Sequence, residues 1–447
     1  MTIEQLDSLF DRLFPICRSI SGHGLRESLA IFAEQMPLHL ESTPSGTQVF
    51  DWTVPHEWHI ESATLTAPDG RVVADFADHN LRVVNYSAPM IGKVSLEALR
   101  PQLHTLPQQP DLIPYVTSYY QPNWGFCLTH NELNQLIPGE YQVRIDSQFT
   151  PGEINYGSTL LTGDTAQEFL LSSYLCHPSM ANNELSGPLV LLGLYQRLLR
   201  WPKRRFSYRF VLAPETIGSL CYLDRYGEHL KQHCIGGLVL TCLGGPETAL
   251  SIKLARNEHC LLNQLVRRLA SERPQQWKIR EFTPCHGSDE RQYCSPGFNL
   301  PVAQAARTVY GAFAEYHTSG DTKEFMQVDQ LVAAIDQLEQ LLLQHENSGV
   351  FERTNPYGEP QLGRRGLYPN MNSPHSHAKS TDSLLDGRTQ LMAMQWILNL
   401  ADGQHTLPQM AHRAGMPLST LLAVVPRLEE ADLIRFTAMQ PEEKPCR

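Results

Sequence analysis

Leu6, Leu9, Phe10, Leu13 and Phe14 recur at helical spacing, and a second amphipathic run follows over 25–36. Both predict helices within residues 1–40. From Pro44 the period shortens. The segments 50–54, 62–65, 71–76 and 81–86 are short strand-like runs broken by Pro, Asp and Gly, and 141–145 and 158–161 continue the pattern. Around Glu168 the texture changes again. Apolar strands are predicted at 169–175, 208–212 and 236–241, with helices at 188–199 and from Gly218. Strands alternating with helices predict a layered α/β domain around a largely parallel sheet. A strongly periodic helix at 331–346 closes it.

Residues 350–382 are rich in Pro, Gly, Asn, Ser and basic side chains and read as a linker. Three short helices, 383–400, 407–414 and 418–431, and a strand at 433–436 then predict a winged helix over 383–447. The expected organisation is an α/β core from 1–43 and 155–349, a mostly β insertion at 44–154, the linker, and the winged helix. A chain of 447 residues has room for these parts, and with 42% apolar and 19% charged residues it can bury sizeable cores.

Charge narrows the function. Lys and Arg number 36 against 47 Asp and Glu, a formal charge of −11, which disfavours nucleic acid and anionic membrane as partners. No apolar run approaches the length of a membrane span, and the N-terminus lacks the layout of a signal peptide. Ten cysteines are scattered without a CxxC pair. That usage fits reduced thiols in a cytoplasmic protein rather than disulfides or a Cys-based zinc finger.

Candidate chemistry lies just after the predicted strands, where open α/β sheets gather their sites. In YLCHPSMANNELSG, residues 174–187, His177 offers an imidazole and Asn183 or Glu184 a second metal ligand. A strand-capping His with helix-capping asparagines would give the same letters. In APETIGS, Glu215 follows an apolar strand, where it suits a general base on water activated by a metal, or a helix N-terminal charge. EYHTSGD adds His317, with Asp321 as an orienting or structural carboxylate. In HGSDERQYC, Asp289, Glu290, Arg291 and Tyr293 form a polar run suited to substrate contact, or to a solvated loop. Cys176, Cys285 and Cys294 are read as bystanders.

These blocks, with FDWTVPHEW, PYVTSYY, NWGFCLTHNEL, SPGFNLPV and GEPQLGRRGLYP, resemble bacterial aminopeptidase-like proteins over essentially the whole chain. That family is related to the di-zinc aminopeptidases and glutamate carboxypeptidases. The resemblance implies a zinc-exopeptidase-like three-layer α/β/α core, a β insertion and a C-terminal winged helix-turn-helix. It also implies His177 as the first zinc-ligand His, His317 as the last, and Glu215 as the general base. Three positions depart from the pattern. Asn183 stands at the bridging Asp, Thr216 at a ligand Glu and Gly245 at a ligand Asp. A neutral amide bridges two cations poorly, and each missing carboxylate removes offsetting charge. The expected site is therefore altered, with one zinc on His177, His317 and a carboxylate such as Glu184, Asp289 or Glu290.

Three functions stay open. The first is a metal-dependent, aminopeptidase-like hydrolase acting on a peptide or an amide-containing small molecule. The second is a metal-poor, catalytically inactive binding scaffold of the same fold. The third is a DNA-binding regulator working through the tail. It is opposed by the predicted recognition helix at 418–431, where Arg427 is the only basic residue and Glu429, Glu430 and Asp432 stand close behind. The insertion and the tail offer surfaces for self-association, so a homo-oligomer is among the expected partners.

Overall fold

A computed structural model describes residues 1–368 and 386–438, which divide into two compact units at Gln340 and Leu341. The first unit opens with α1 (Ile3–Leu13) and α2 (His23–Ala33). Leu6, Leu9, Phe10 and Leu13 are buried, and Thr2 and Gln5 close a capping box on α1. Strand β1 (His39–Pro44) follows. The chain then leaves for a four-stranded antiparallel sheet made of β2 (Glu57–Thr66), β3 (Val72–Asp75), β4 (Met90–Ser95) and β5 (Glu140–Thr150), in the order β3-β2-β5-β4. Along β5, Tyr141, Val143 and Ile145 point inward while their neighbours stay exposed, the alternation of a half-covered strand. β6 (Glu153–Leu161) returns to pair with β1.

The core continues with β7 (Glu168–Tyr174), α3 (Ser186–Leu199), β8 (Ser207–Ala213), α4 (Ile217–His233), β9 (Cys234–Leu240), β10 (Leu250–Lys253), α5 (Leu261–Glu272), β11 (Trp277–Arg280), β12 (Val302–Ala306) and α6 (Val328–Glu346). The strands form one eight-stranded sheet, β1-β6-β8-β7-β9-β12-β10-β11. β8, β7, β9 and β12 run parallel at its centre. All seven residues of β7 are buried, as a strand covered on both faces requires. The chain passes from β7 to β8 on one side and then crosses to β9 on the other. Their carboxyl ends therefore flank a topological switch point, where such sheets open a crevice. Gly187 lets α3 start hard against the sheet, because a Cβ there would collide with the Leu240 carbonyl and Ser173 Oγ. No helix among the described residues is long and apolar enough to cross a membrane. The nine described cysteines are free thiols.

Two local expectations need correction in shape. Segment 81–86 is not a strand. Asn80–Arg82 is a 3₁₀ turn, and beyond it only isolated bridges form, Val83 with Phe126 and Asn85 with Thr117. Apolar alternation there reflects burial of a loop. The expected helix at 418–431 is two helices, because Pro426 lacks an amide N–H and clashes with the preceding turn.

The second unit contains β13 (Gly349–Arg353), α7 (Gly387–Leu400), β14 (Asp402–Thr406), α8 (Leu407–Ala414), α9 (Leu418–Leu422), α10 (Val425–Glu430) and β15 (Ile434–Ala438). Its sheet is β14-β13-β15, antiparallel. The expected linker at 350–382 thus begins inside a folded unit. β13 is the central strand, and Phe351, Leu362 and Leu367 join a core with Met394, Ile397, Leu407, Leu421 and Leu428. Its neighbouring Pro and Gly residues hide a strand that carries only two apolar side chains. Residues 369–385, which include the start of the expected helix at 383, lie outside the described residues. Phe351→Ala should destabilise this unit by about 3–5 kcal/mol. Hydrogen exchange on the full chain would show lost protection across α7 and β15, whereas a linker residue would change nothing.

Candidate functional site

The site begins where β7 ends. His177 is 6% exposed, and its Nδ1 lies 2.9 Å from Glu184 Oε2 and 3.3 Å from Cys176 Sγ. Glu184 Oε1 accepts the Cys176 backbone N–H. Glu184 sits on a single π-helical turn, Ala181–Leu185, that opens α3 and aims its carboxylate back at the strand end. Behind it lies fully buried Arg18, whose Nε is 3.8 Å from Glu184 Oε1 and donates to the His177 carbonyl at 3.2 Å. A carboxylate on Nδ1 holds the proton there and leaves Nε2 facing outward. Burial opposes charge on His177, but Cys176 and Glu184 outweigh it and hold its pKa well above the ordinary imidazole value.

His317 comes from the loop between β12 and α6, on a backbone with φ 54°. Its loop is pinned by the insertion. The Tyr115 N–H donates to the His317 carbonyl at 2.8 Å, and the Ser319 N–H to the Ile113 carbonyl at 2.8 Å. Buried Asp321 accepts the N–H groups of Asn182 (2.7 Å) and Asn183 (2.8 Å), tying this loop to the turn that carries Glu184. Burial outweighs those bonds and pushes Asp321 up to about 7. The His177 and His317 rings then stand 5.4 Å apart, with Tyr115 against both at 5.1 and 5.3 Å. Burial pushes His317 down to about 3, assisted by charge on His177, so its imidazole is neutral.

Glu215 follows β8. Its Oε2 is 3.9 Å from His177 Nε2, and its Oε1 accepts from Ser288 Oγ at 2.5 Å. Burial raises its pKa, opposed by His177 and Ser288. Thr216 beside it has φ 62° and ψ −76°, a costly conformation for a β-branched residue. Asp289 supports this turn by accepting the Thr216 N–H at 2.7 Å and Ser219 Oγ at 3.0 Å. Burial, with the charge of Glu215, pushes Asp289 up to about 8. Tyr120, Ser179 and Cys242 also carry positive φ. Such strain persists only where surrounding structure enforces it, and it clusters here.

His177, Glu215, Thr216 and His317 open onto one cavity of about 320 Å³, closed over by Ile20, Trp52, Tyr115, Thr117, Tyr119, Tyr120 and Ile217. The aromatic roof comes from the insertion and was not legible as a site. The period-two spacing of Tyr115, Thr117 and Tyr119 in PYVTSYY is the one signal that could have revealed it. Other expectations change. Asn183 and Glu184 stand behind the cavity wall. Asn183 Oδ1 faces Tyr174 Oη at 3.1 Å, and both Glu184 oxygens are engaged. Glu290 is also engaged, pairing with buried Lys253 at 2.7 Å. Tyr293 is fully buried in the core, its Oη 3.0 Å from Ser172 Oγ. Neither of these contacts substrate from its place. Gly245 packs on Thr308, which leaves no room for a side chain, whereas Cys242 Sγ lies 4.0 Å from Asn183 Oδ1. Cys242 is therefore the residue just after β9 that faces Asn183.

Cys176, His177 and Glu184 lie close enough to hold an ion, but their polar atoms already bond one another, so the cluster orients His177. On the cavity side, the two imidazoles are the groups that could hold an ion, with the Glu215 carboxylate beside them. Where the resemblance implies further ligands stand the Asn183 amide and the Thr216 hydroxyl, and beside Asn183 the Cys242 thiol, which burial pushes up to about 12. Neutral groups of that kind do not offset a second divalent charge. Glu290→Ala should cost about 3–5 kcal/mol, since it strands a buried Lys253 cation, and thermal melting reads the loss directly. A substrate-contacting Glu290 would leave the melting temperature unchanged.

Residues 7–348 match a family model described as a domain of unknown function, DUF4910, and residues 349–436 match a winged helix-turn-helix model. A Clostridium acetobutylicum protein whose name refers to polysaccharide biosynthesis and an aminopeptidase-like domain is 38% identical over 97% of this chain and 96% of its own. A crystal structure from the same organism, with a provisional peptidase name, is similar at TM-score 0.84 and 36% identity, over 97% and 96% of the two chains. A zinc aminopeptidase from Bacillus subtilis shares the fold at TM-score 0.56 and 13% identity, over 76% of this chain and 93% of its own. The chain belongs to the DUF4910 family of aminopeptidase-like proteins, with a winged helix-turn-helix at its C-terminal end.

Proposed function

We propose that the cavity is the active site of a zinc-dependent, aminopeptidase-type hydrolase that cleaves an amide or peptide bond and uses a single ion. One observation carries this reading: His177, His317 and Glu215, far apart in sequence, converge on one cavity. His177 and His317 would hold the ion. Zinc, when bound, supplies Lewis acidity toward a carbonyl and makes water acidic near neutral pH.

The chain's own residues do the rest. Glu184 holds a proton on His177 Nδ1, so that loss of the Nε2 proton to an incoming ion would leave that nitrogen's lone pair facing the cavity. Glu215, its Oε1 steadied by Ser288, keeps Oε2 free to take a proton from the attacking water and return it to the leaving amine. Tyr115 lies against both imidazoles, and burial raises its pKa well above 10, so the phenol stays neutral. Trp52 and Tyr120, in edge contact at 5.4 Å, shield the mouth and offer apolar surface to the substrate body.

The second reading is a scaffold without metal or catalysis, which the missing ligand carboxylates favour. The DNA-binding reading gains no support from the second unit. Arg427 on α10 bonds Gln390 Oε1 at 2.8 Å, and Glu429 and Glu430 follow it. Elemental analysis should find about one zinc per chain, lost in His177→Ala and in His317→Ala. Glu215→Gln should keep the ion and lower kcat about 10²–10⁴-fold against an amide substrate panel. A fully stable, metal-free wild-type protein would establish the scaffold instead. Loss of zinc in Glu215→Gln would make that residue a ligand rather than the base.

A further inference from the structure

A larger cavity, of about 720 Å³, adjoins the first. The two meet at a stacked pair of rings: Tyr316 lines the larger, His317 the smaller, and their centroids are 3.9 Å apart. The ends of β10 and β11, the loop 283–291 and residues 309–312 wall the larger one. The same loop serves both cavities, since Ser288 bonds Glu215 while Arg291, three residues on, faces the larger space.

Charge sets this cavity apart. Lys253 is neutralised by Glu290 at 2.7 Å. Glu281, the only carboxylate among the lining residues, pairs with Arg267 at 2.9 Å. Two guanidiniums remain. Arg280 bonds neutral acceptors, Ser251 Oγ at 2.9 Å, Gln304 Oε1 at 3.0 Å and Tyr310 Oη at 3.2 Å, and packs over the Tyr310 ring. Arg291 donates only to the backbone carbonyls of Ser288 (3.2 Å) and Pro284 (3.5 Å). Neither has a carboxylate partner among the described residues. Both are half-buried and face one concave space. Low-dielectric walls focus such a field, and a guanidinium matches an oxyanion through paired, charge-assisted hydrogen bonds. Gly287, at φ 152°, keeps the floor open: a Cβ there would strike Glu290 Oε1 and Lys253 Nζ.

We infer that this cavity binds an oxyanion, a carboxylate or a phosphate, with Arg291 as its principal contact and Arg280 set by Tyr310 as its support. The preferred substrate is then an amide that carries an anionic group across the Tyr316–His317 wall from the bond being cleaved. That last clause rests on the hydrolase reading; the oxyanion site does not.

Calorimetric titration of the full chain, zinc-loaded and zinc-stripped, with inorganic phosphate and with glutarate at constant ionic strength tests it. Saturable binding of one probe is expected in both forms, weakened about tenfold by Arg291→Met and less by Arg291→Lys. Whichever probe binds more tightly assigns phosphate or carboxylate. Melting without ligand checks that each variant folds, and Arg291→Lys stands in if Arg291→Met does not. Failure of both probes to saturate, or unchanged binding in a folded Arg291 variant, overturns the site. Because the stripped protein is titrated too, oxyanion binding survives a failure of the hydrolase reading, and an active hydrolase that binds neither probe sinks this inference alone.

Discussion

One buried carboxylate, Glu184, holds the site in shape. It lies between the His177 imidazole and the Arg18 guanidinium, and both Glu184 and Arg18 are fully buried. Ions so placed persist only when the desolvation of each is offset by its neighbours. Arg18 contributes a charge at 3.8 Å and a bond to the His177 carbonyl, so the N-terminal segment after α1 is built into the site. The π-helical turn gives Glu184 its reach. A regular α-helical start at Ala181 would rotate the carboxylate away from the end of β7.

The second constraint is the seam between 113–115 and 317–319. It supplies ordinary backbone hydrogen bonds, yet through them the insertion sets the position of His317 and lays Tyr115 across both imidazoles. Residues of the 44–154 segment thus line the candidate cavity together with the core. Strained backbone at Thr216, Cys242 and His317 marks the same place, where packing of the sheet, the π turn and the insertion overrides local preference.

Electrostatics gives the site its character. The fold is shared with a zinc aminopeptidase, and where the resemblance to two-zinc enzymes implies further ligands this chain has the Asn183 amide and the Thr216 hydroxyl, which bring no negative charge to hold a cation. Three other carboxyl groups nearby already have partners: Glu184 has His177 and Arg18, Asp321 two backbone N–H groups, and Glu290 has Lys253. The adjoining cavity has the opposite imbalance, two guanidiniums and no free carboxylate.

The strand–helix alternation after Glu168, the amphipathic pair at the N-terminus and the placing of His177 and Glu215 beyond apolar strands were all legible in the chain. Burial imposes periodicity, and periodicity is local. The partners of those residues were not legible. Glu184 reads as a ligand from its spacing and becomes an orienting group only once the π turn points it backward. Asp289, Glu290 and Tyr293 look like a contact loop until Thr216, Lys253 and Ser172 claim them. Gly245 counted as a ligand position, yet Cys242 is the residue that faces Asn183. The strand at Gly349–Arg353 is hidden because two apolar residues make no pattern without the neighbours they pair with. Sequence alone determined which elements form and which chemical groups are present. Tertiary structure decided which groups meet, because hydrogen bonds and ion pairs between residues tens to more than a hundred positions apart leave no periodic trace in the chain.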